Sequence, residues 1–195
     1  MARKSTTDWL EAGLEALCDG GPARLTIDGL ATQLGVTKGS FYHHFANIDD
    51  FKARLLVYWE DEFTQRIIAR SEEAVAASSE REVAASSDEA ERDPVAIMDR
   101  IAYLALERGN DPEVAIRAWA QYDADAQAVL ERVDERRLSY GQALFTAITG
   151  DPDRALVQVQ LLYTMLIGSD YLRPPLGRDQ TRRVYEEFMR LCGLR

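Results

Sequence analysis

The stretch Leu25 to Phe45, LTIDGLATQLGVTKGSFYHHF, decides how the chain is read. Its apolar residues Ile27, Leu30, Ala31 and Leu34 recur at the three-and-four spacing of one helix face. Thr26 stands just ahead of them, where a side-chain oxygen satisfies the free N–H groups of a helix start. Gly35-Val36-Thr37 breaks the pattern, and Thr37 stands ahead of a second short helix expected over residues 38–44. A turn of so few residues makes the two helices cross steeply. At about 100° per residue, the second helix sets Phe41, His44 and Phe45 on one side and Lys38, Gly39, Tyr42 and His43 on the other.

The first set is expected to pack and the second to face out. Gly39 and Ser40 let a backbone approach a surface closely, while Lys38, Tyr42 and His43 carry groups that bond phosphate oxygens or base edges. The major groove of DNA admits one such helix. The helix starts at Thr26, at Thr37 and near Asn47 would turn their N–H groups toward phosphates. Spacing alone also fits a two-helix unit used only for packing, and both readings stand at this point. A metal reading of His43-His44 is weak, because neighbours on a helix point about 100° apart and do not chelate one ion.

The 195 residues are 46% hydrophobic, enough to bury a core in one or two domains. No apolar run reaches the roughly 18 residues of a membrane span, and the opening MARKSTTDWLEAGLEAL is polar and amphipathic, so a cytoplasmic protein without a membrane partner is expected. Cys18 and Cys192 match no metal spacing and read as inert thiols in helical segments. A net charge of −10 argues against nucleic acid, but its distribution is uneven. Residues 1–54 hold six Lys and Arg against seven Asp and Glu, and the remainder 17 against 26. Two regions with different electrostatic tasks are implied.

The punctuation is helical throughout. Asp93-Pro94, Asp111-Pro112 and Asp151-Pro152 each place an acceptor at an N-cap and a proline at the first helical position. Gly109 and Gly150 precede two of them as helix stops. With no useful alternating run, the chain reads as all-α, with about nine helices over 8–19, 27–34, 38–44, 48–71, 94–108, 112–122, 125–149, 152–170 and 179–192. The low-complexity segment 71–93, which nearly repeats VAASSE as VAASSD, reads either as a mobile or loosely held connector or as an ordinary helix continuation.

The motif Gly-Val-Thr-Lys-Gly-Ser-Phe-Tyr-His-His-Phe, with the Leu-Thr-Ile-Asp-Gly-Leu-Ala pattern before it, resembles the helix-turn-helix of TetR-type transcriptional regulators over about the first 55 residues. The resemblance implies an N-terminal three-helix DNA-binding domain, residues 1–47, followed by a larger helical ligand-binding and dimerisation domain, residues 48–195. It places Lys38, Gly39, Ser40, Tyr42 and His43 on recognition-helix positions, and Thr26 and Thr37 on positions that contact the DNA backbone. One departure is Ile48, where the family usually carries a phosphate-binding Lys. Lys52 lies one turn on and is the substitute expected here, and Arg3 and Lys4 would form a minor-groove arm, or else a disordered end.

The second region is expected to pair and to sense. Apolar residues surround almost the whole axis of helix 152–170, so one face needs cover from outside the chain. Leu156, Val159, Tyr163, Ile167, Val184, Tyr185 and Phe188 are the expected dimer contacts, forming a four-helix bundle about a two-fold axis. A homodimer would present two recognition helices to a palindromic operator, with half-sites about one DNA turn apart. Met98, Tyr103, Trp119, Tyr122, Asp123 and Tyr163 are candidates for lining a cavity, though residues so spaced also serve as plain core. Family resemblance implies a small, mostly apolar effector and a repressor released by it, with activation the same device of opposite sign. No Gly-rich phosphate loop, G-x-S-x-G elbow or H-E-x-x-H motif occurs, so no catalytic residue, metal or cofactor is expected.

Overall fold

The computed structural model describes residues 4–83, 93–107 and 112–194, and among them every regular element is helical. The contacts divide the chain into two units, Met1–Glu62 with Asn110–Val133, and Phe63–Gly109 with Asp134–Arg195. Where the sequence draws a line after residue 47, the first unit thus runs on through the next helix and takes in a later segment.

In the first unit, Ser5 begins α1 (Thr6–Gly20) with a reciprocal cap. Its hydroxyl accepts from the Asp8 N–H at 3.1 Å, and the Asp8 carboxylate accepts from the Ser5 N–H at 2.6 Å. The Ser5 N–H, and next the Ser5 hydroxyl, which donates to the same carboxylate at 2.8 Å, hold the Asp8 carboxyl below its ordinary value. The helix stops at Gly21, whose positive φ of 72° lets its N–H return to the Leu17 carbonyl at 2.8 Å. A single 3₁₀ turn, Pro22–Arg24, leads to α2 (Ile27–Leu34). Gly35 ends α2 in the left-handed conformation, and α3 (Lys38–Phe41) follows after Val36 and Thr37. Then come α4 (Ile48–Glu60), α7 (Glu113–Trp119) and the first part of α8 (Ala124–Thr149).

An aromatic cluster fills this unit. Trp9, Phe41, Phe45, Phe51 and Trp59 are all essentially removed from water, together with Leu17, Leu30, Leu55, Leu56 and Ile116. Each such side chain contributes about 1.5–3 kcal/mol by its burial. The rings meet at the angles their quadrupoles favour, Trp9 edge-on to Phe41 at 5.4 Å and Phe45 edge-on to Phe51 at 5.0 Å between centroids. Gly13 allows the close approach of α1 and α4, since a Cβ there would lie 2.6 Å from Cζ of Phe51.

The helix expected over 48–71 is longer and contains a π turn. From α4 it passes through Asp61–Gln65 into α5 (Arg66–Val83), so that α4, the π turn and α5 count as one of nine helices among the described residues. The first part of segment 71–93 is therefore helix. Ser71 is fully buried and returns its hydroxyl to the Ile67 carbonyl at 2.7 Å, which removes its competition with the helix. Residues 84–92 lie outside the described residues, as do the Gly109 stop and the Asp111 cap. Pro112 occupies the cap position of α7, one residue earlier in the pattern than expected. Asp151 does cap its helix, accepting from the N–H groups of Asp153 and Arg154 at 3.1 Å each, and Asp93 accepts from Val95 at 2.9 Å.

The second unit contains α5, α6 (Pro94–Glu107), the rest of α8, α9 (Pro152–Tyr171) and α10 (Arg178–Leu191). Its core joins Ile97, Met98, Phe145, Val159, Phe188 and Met189 with their neighbours. Arg137 of α8 reaches the π turn, donating to the Thr64 hydroxyl at 3.0 Å and the Phe63 carbonyl at 3.2 Å. It also donates to the Tyr163 hydroxyl at 3.3 Å, which in turn donates to Asp134 at 2.6 Å. A guanidinium with several fixed donors is suited to the polar groups that a π turn displaces from regular pairing. No helix among the described residues is long and apolar enough to cross a membrane.

Candidate nucleic-acid interface

The two helices of the opening motif are built as their caps dictate at one end only. Thr26 accepts from the Gly29 N–H at 3.1 Å and so starts α2. Thr37 is exposed and has the extended backbone of an N-cap, but its side chain makes no capping hydrogen bond. The helix expected over 38–44 is only Lys38–Phe41, after which Tyr42, His43 and His44 continue as a tight turn. The His43 and His44 N–H groups donate three residues back, at 3.3 and 2.9 Å, rather than four. This tightening swings Phe45 into the core beside Phe51.

The outward face is as the spacing predicts. Lys38, Gly39, Tyr42 and His43 are exposed, Tyr42 to 59%, while Phe41 and Phe45 are buried and His44 is half-buried. Ser40, placed with the outward set by resemblance, is half-buried. The Tyr42 ring stands edge-on to Phe41 at 5.6 Å, so an exposed side chain rests on a buried one. Beyond its chain neighbours and its own helix backbone, a Cβ on Gly39 would meet the Thr37 Oγ1 at 3.6 Å, an ordinary contact, so packing against the rest of the protein gives no steric reason for a glycine there. Lys38 is ion-paired to Asp28 of α2, Nζ to Oδ1, at 2.5 Å.

Two side chains that the sequence did not single out hold this face in place. Arg54 of α4 donates to the His44 carbonyl at 2.7 Å and lies 4.8 Å from the centre of the Phe45 ring. Gln33 of α2 donates to the Ala12 carbonyl at 3.3 Å and to Glu15 at 2.8 Å, tying α2 to α1. No local pattern marks either, because both partners lie far away in sequence. His44 lies with Nδ1 3.0 Å from the Thr6 hydroxyl and so belongs to the scaffold. Among the described residues no group of three His, Cys, Asp or Glu is placed to hold a metal ion.

The start of α4 offers less than the sequence suggests. Asn47 accepts from the Asp49 and Asp50 N–H groups at 3.0 and 2.8 Å, and Asp50 accepts from Ala46 at 2.9 Å. Those N–H groups are taken, and two carboxylates stand beside them. Lys52 is half-buried, and its charge reaches Asp123 of the same unit. The Asp123 carboxyl is held below its ordinary value chiefly by the Ala126 N–H, with smaller contributions from Trp119, Asp125 and Lys52. Ile48 is half-buried, Lys4 is half-buried near Asp8, and Arg3 lies outside the described residues.

The other expected contacts need correction. Val159, Tyr185 and Phe188, expected on a partner-facing surface, are buried in the second unit's own core, and Tyr185 donates to Asp99 at 2.8 Å. Tyr163 is half-buried in the Arg137 and Asp134 network, and Ile167 and Val184 are half-buried. The exposed apolar residues of α9 are Leu156, Val157 and Leu161, with Tyr171 at its end and Leu172 just beyond; Leu191 on α10 is also open. Among the cavity candidates, Met98 is core, and Tyr103 is exposed under the Arg100 guanidinium at 5.2 Å. In the first unit Trp119 is buried, Tyr122 is 72% exposed and Asp123 is occupied in capping α8, accepting from Asp125 and Ala126 at 3.1 and 3.0 Å.

Residues 10–55, which span α1 to the middle of α4, match the model of a family described as bacterial regulatory proteins of the tetR family. No curated protein and no solved structure matches the chain. The matched residues include the whole aromatic cluster around Phe41 except Trp9 and Trp59, and the entire exposed Lys38, Gly39, Tyr42 and His43 face. The helix-turn-helix of residues 10–55 is that of the tetR family, and the chain that carries it is a DNA-binding transcriptional regulator.

Proposed function

We propose that the chain is a ligand-responsive repressor that binds a palindromic operator as a homodimer. Lys38, Gly39, Tyr42 and His43 enter the major groove, Ser40 supports them at the edge, and the Thr26, Thr37 and Lys52 side chains meet the flanking backbone. The observation that carries the DNA part is the face itself: a short helix backed by buried rings, with a glycine whose missing side chain serves nothing inside the protein. Close backbone approach to a groove gives it a use.

Pairing rests on the exposed apolar side of α9, Leu156, Val157 and Leu161, together with Leu191 of α10. Such residues gathered on one helix favour burial against a second copy. Ligand response rests on the π turn in the helix that leads away from the DNA-reading unit. Single π turns inside α-helices are rare and occur frequently at functional sites. A ligand that binds one arrangement better shifts operator affinity by its differential binding, about 1–3 kcal/mol or 5- to 150-fold in ordinary cases. Selection of bound duplexes from a random library tests the whole reading. Two-fold-symmetric sites with half-sites about one helical turn apart, ~34 Å, are expected; single asymmetric sites would contradict the homodimer.

A further inference from the structure

Lys38 does not face DNA as an unpaired cation. Its ammonium lies 2.5 Å from the Asp28 carboxylate, and the two side chains are 61% and 71% exposed, so the pair sits on the surface that carries Gly39, Tyr42 and His43. Asp28 stands in the first turn of α2, where the helix dipole favours a negative charge independently of Lys38. Lys38 is the one lysine or arginine among the four residues of the exposed face.

An ion-paired lysine behaves differently toward DNA from an unpaired one. A phosphate that recruits Lys38 must compete with Asp28 and must bring its own charge close to that carboxylate. An ammonium has three donors, and Asp28 needs one, which leaves two for acceptors on a base edge that carries no full charge. We propose that Asp28 is a specificity-determining residue: it holds Lys38 as an already neutralised donor, suppresses attraction to the phosphates of arbitrary sequence, and leaves base readout as the contact Lys38 makes. This rests on the DNA-reading role of the Lys38 face given above. It gives a reason for an acidic residue on a surface that must approach a polyanion, in a region whose charges nearly balance.

The test is equilibrium binding of the full chain to a mixed-sequence duplex over a series of salt concentrations, read by fluorescence anisotropy. The wild type is compared with Asp28→Asn, Lys38→Ala and the double variant. Thermal unfolding verifies that each folds, as exposed positions allow. Asp28→Asn is expected to tighten mixed-sequence binding several-fold at low salt and to steepen the slope of log K against log salt by about 0.9, the value for one further phosphate neutralised. In the Lys38→Ala background the same change should leave the slope unaltered. An unaltered slope for Asp28→Asn, or the same steepening with Lys38 removed, would overturn the proposal while leaving DNA binding intact. A wild type that binds no duplex at any salt would overturn the DNA-reading role itself, and the proposal with it.

Discussion

Replacing Gly13 by alanine sets two physical effects against each other with opposite signs. Gly13 lies inside α1, where alanine gains about 0.5–1 kcal/mol from helix propensity alone. The new Cβ, however, lies 2.6 Å from Cζ of Phe51 and 3.1 Å from Cδ1 of Leu55. Phe51 is fully buried and its ring lies 5.0 Å from Phe45 and 5.7 Å from Phe41, so moving it displaces its neighbours. Overpacking of this kind costs about 1–3 kcal/mol. The net expectation is a loss of roughly 1–2 kcal/mol, lowering the thermal midpoint by about 2–8 °C for a chain of this size. Circular dichroism melts measure this directly. DNA affinity should fall as well, since the displaced rings are those that carry Phe41. A rise in the midpoint for Gly13→Ala alone would show that propensity outweighs packing and that α1 and α4 are not in close contact.

Arg54→Ala should reduce DNA affinity by about tenfold, roughly 1.4 kcal/mol, with a smaller loss of stability, because it frees the His44 carbonyl and uncovers Phe45; binding and melting curves on one preparation separate the two. The Asp8 carboxyl is held below its unfolded value by the Ser5 bonds. Its contribution is therefore present above the ordinary carboxylate range and is lost as pH falls through the lowered folded value; fraying of the start of α1, followed by amide exchange, should set in over that acidic window and not near neutrality. On the proposed pairing, Leu161→Glu should leave the helix content by circular dichroism unchanged and shift sedimentation from dimer to monomer at micromolar concentration, since Leu161 is exposed and outside the core. A dimer unaffected by that charge would move the pairing surface elsewhere.

What was legible in the sequence follows from what is local. The Thr26 and Asp151 caps, the turn at Gly35 and the Gly150 stop depend on residues close to each other in sequence, and all hold. The inward and outward sides of α3 were fixed by period alone, and Phe41 and Tyr42 lie where that period puts them. The length of α3 was not, because the turn at Tyr42 to His44 is set by Phe45 entering a cluster with Phe51 and by Arg54 taking the His44 carbonyl. The partner-facing set was misread for a related reason. In a helix apolar almost all round, such as α9, period does not tell which face the chain covers itself. Val159 turned inward because Gly141 of α8 lets it approach closely, a Cβ there falling 2.5 Å from Val159 Cγ2. Tyr185 was drawn inward by Asp99, 86 positions away.

Gly39→Leu, measured for both folding and DNA binding, tests the central claim most directly. The Cβ it adds meets no atom beyond its own helix turn nearer than the Thr37 Oγ1 at 3.6 Å, and the position is exposed, so the thermal midpoint should be unchanged or slightly raised. On duplexes selected by the wild type, affinity should fall by at least about tenfold, or 1.4 kcal/mol, because the side chain occupies the space through which the backbone of α3 approaches the groove. Full retention of affinity in a normally folded Gly39→Leu protein would contradict the claim that this face reads DNA.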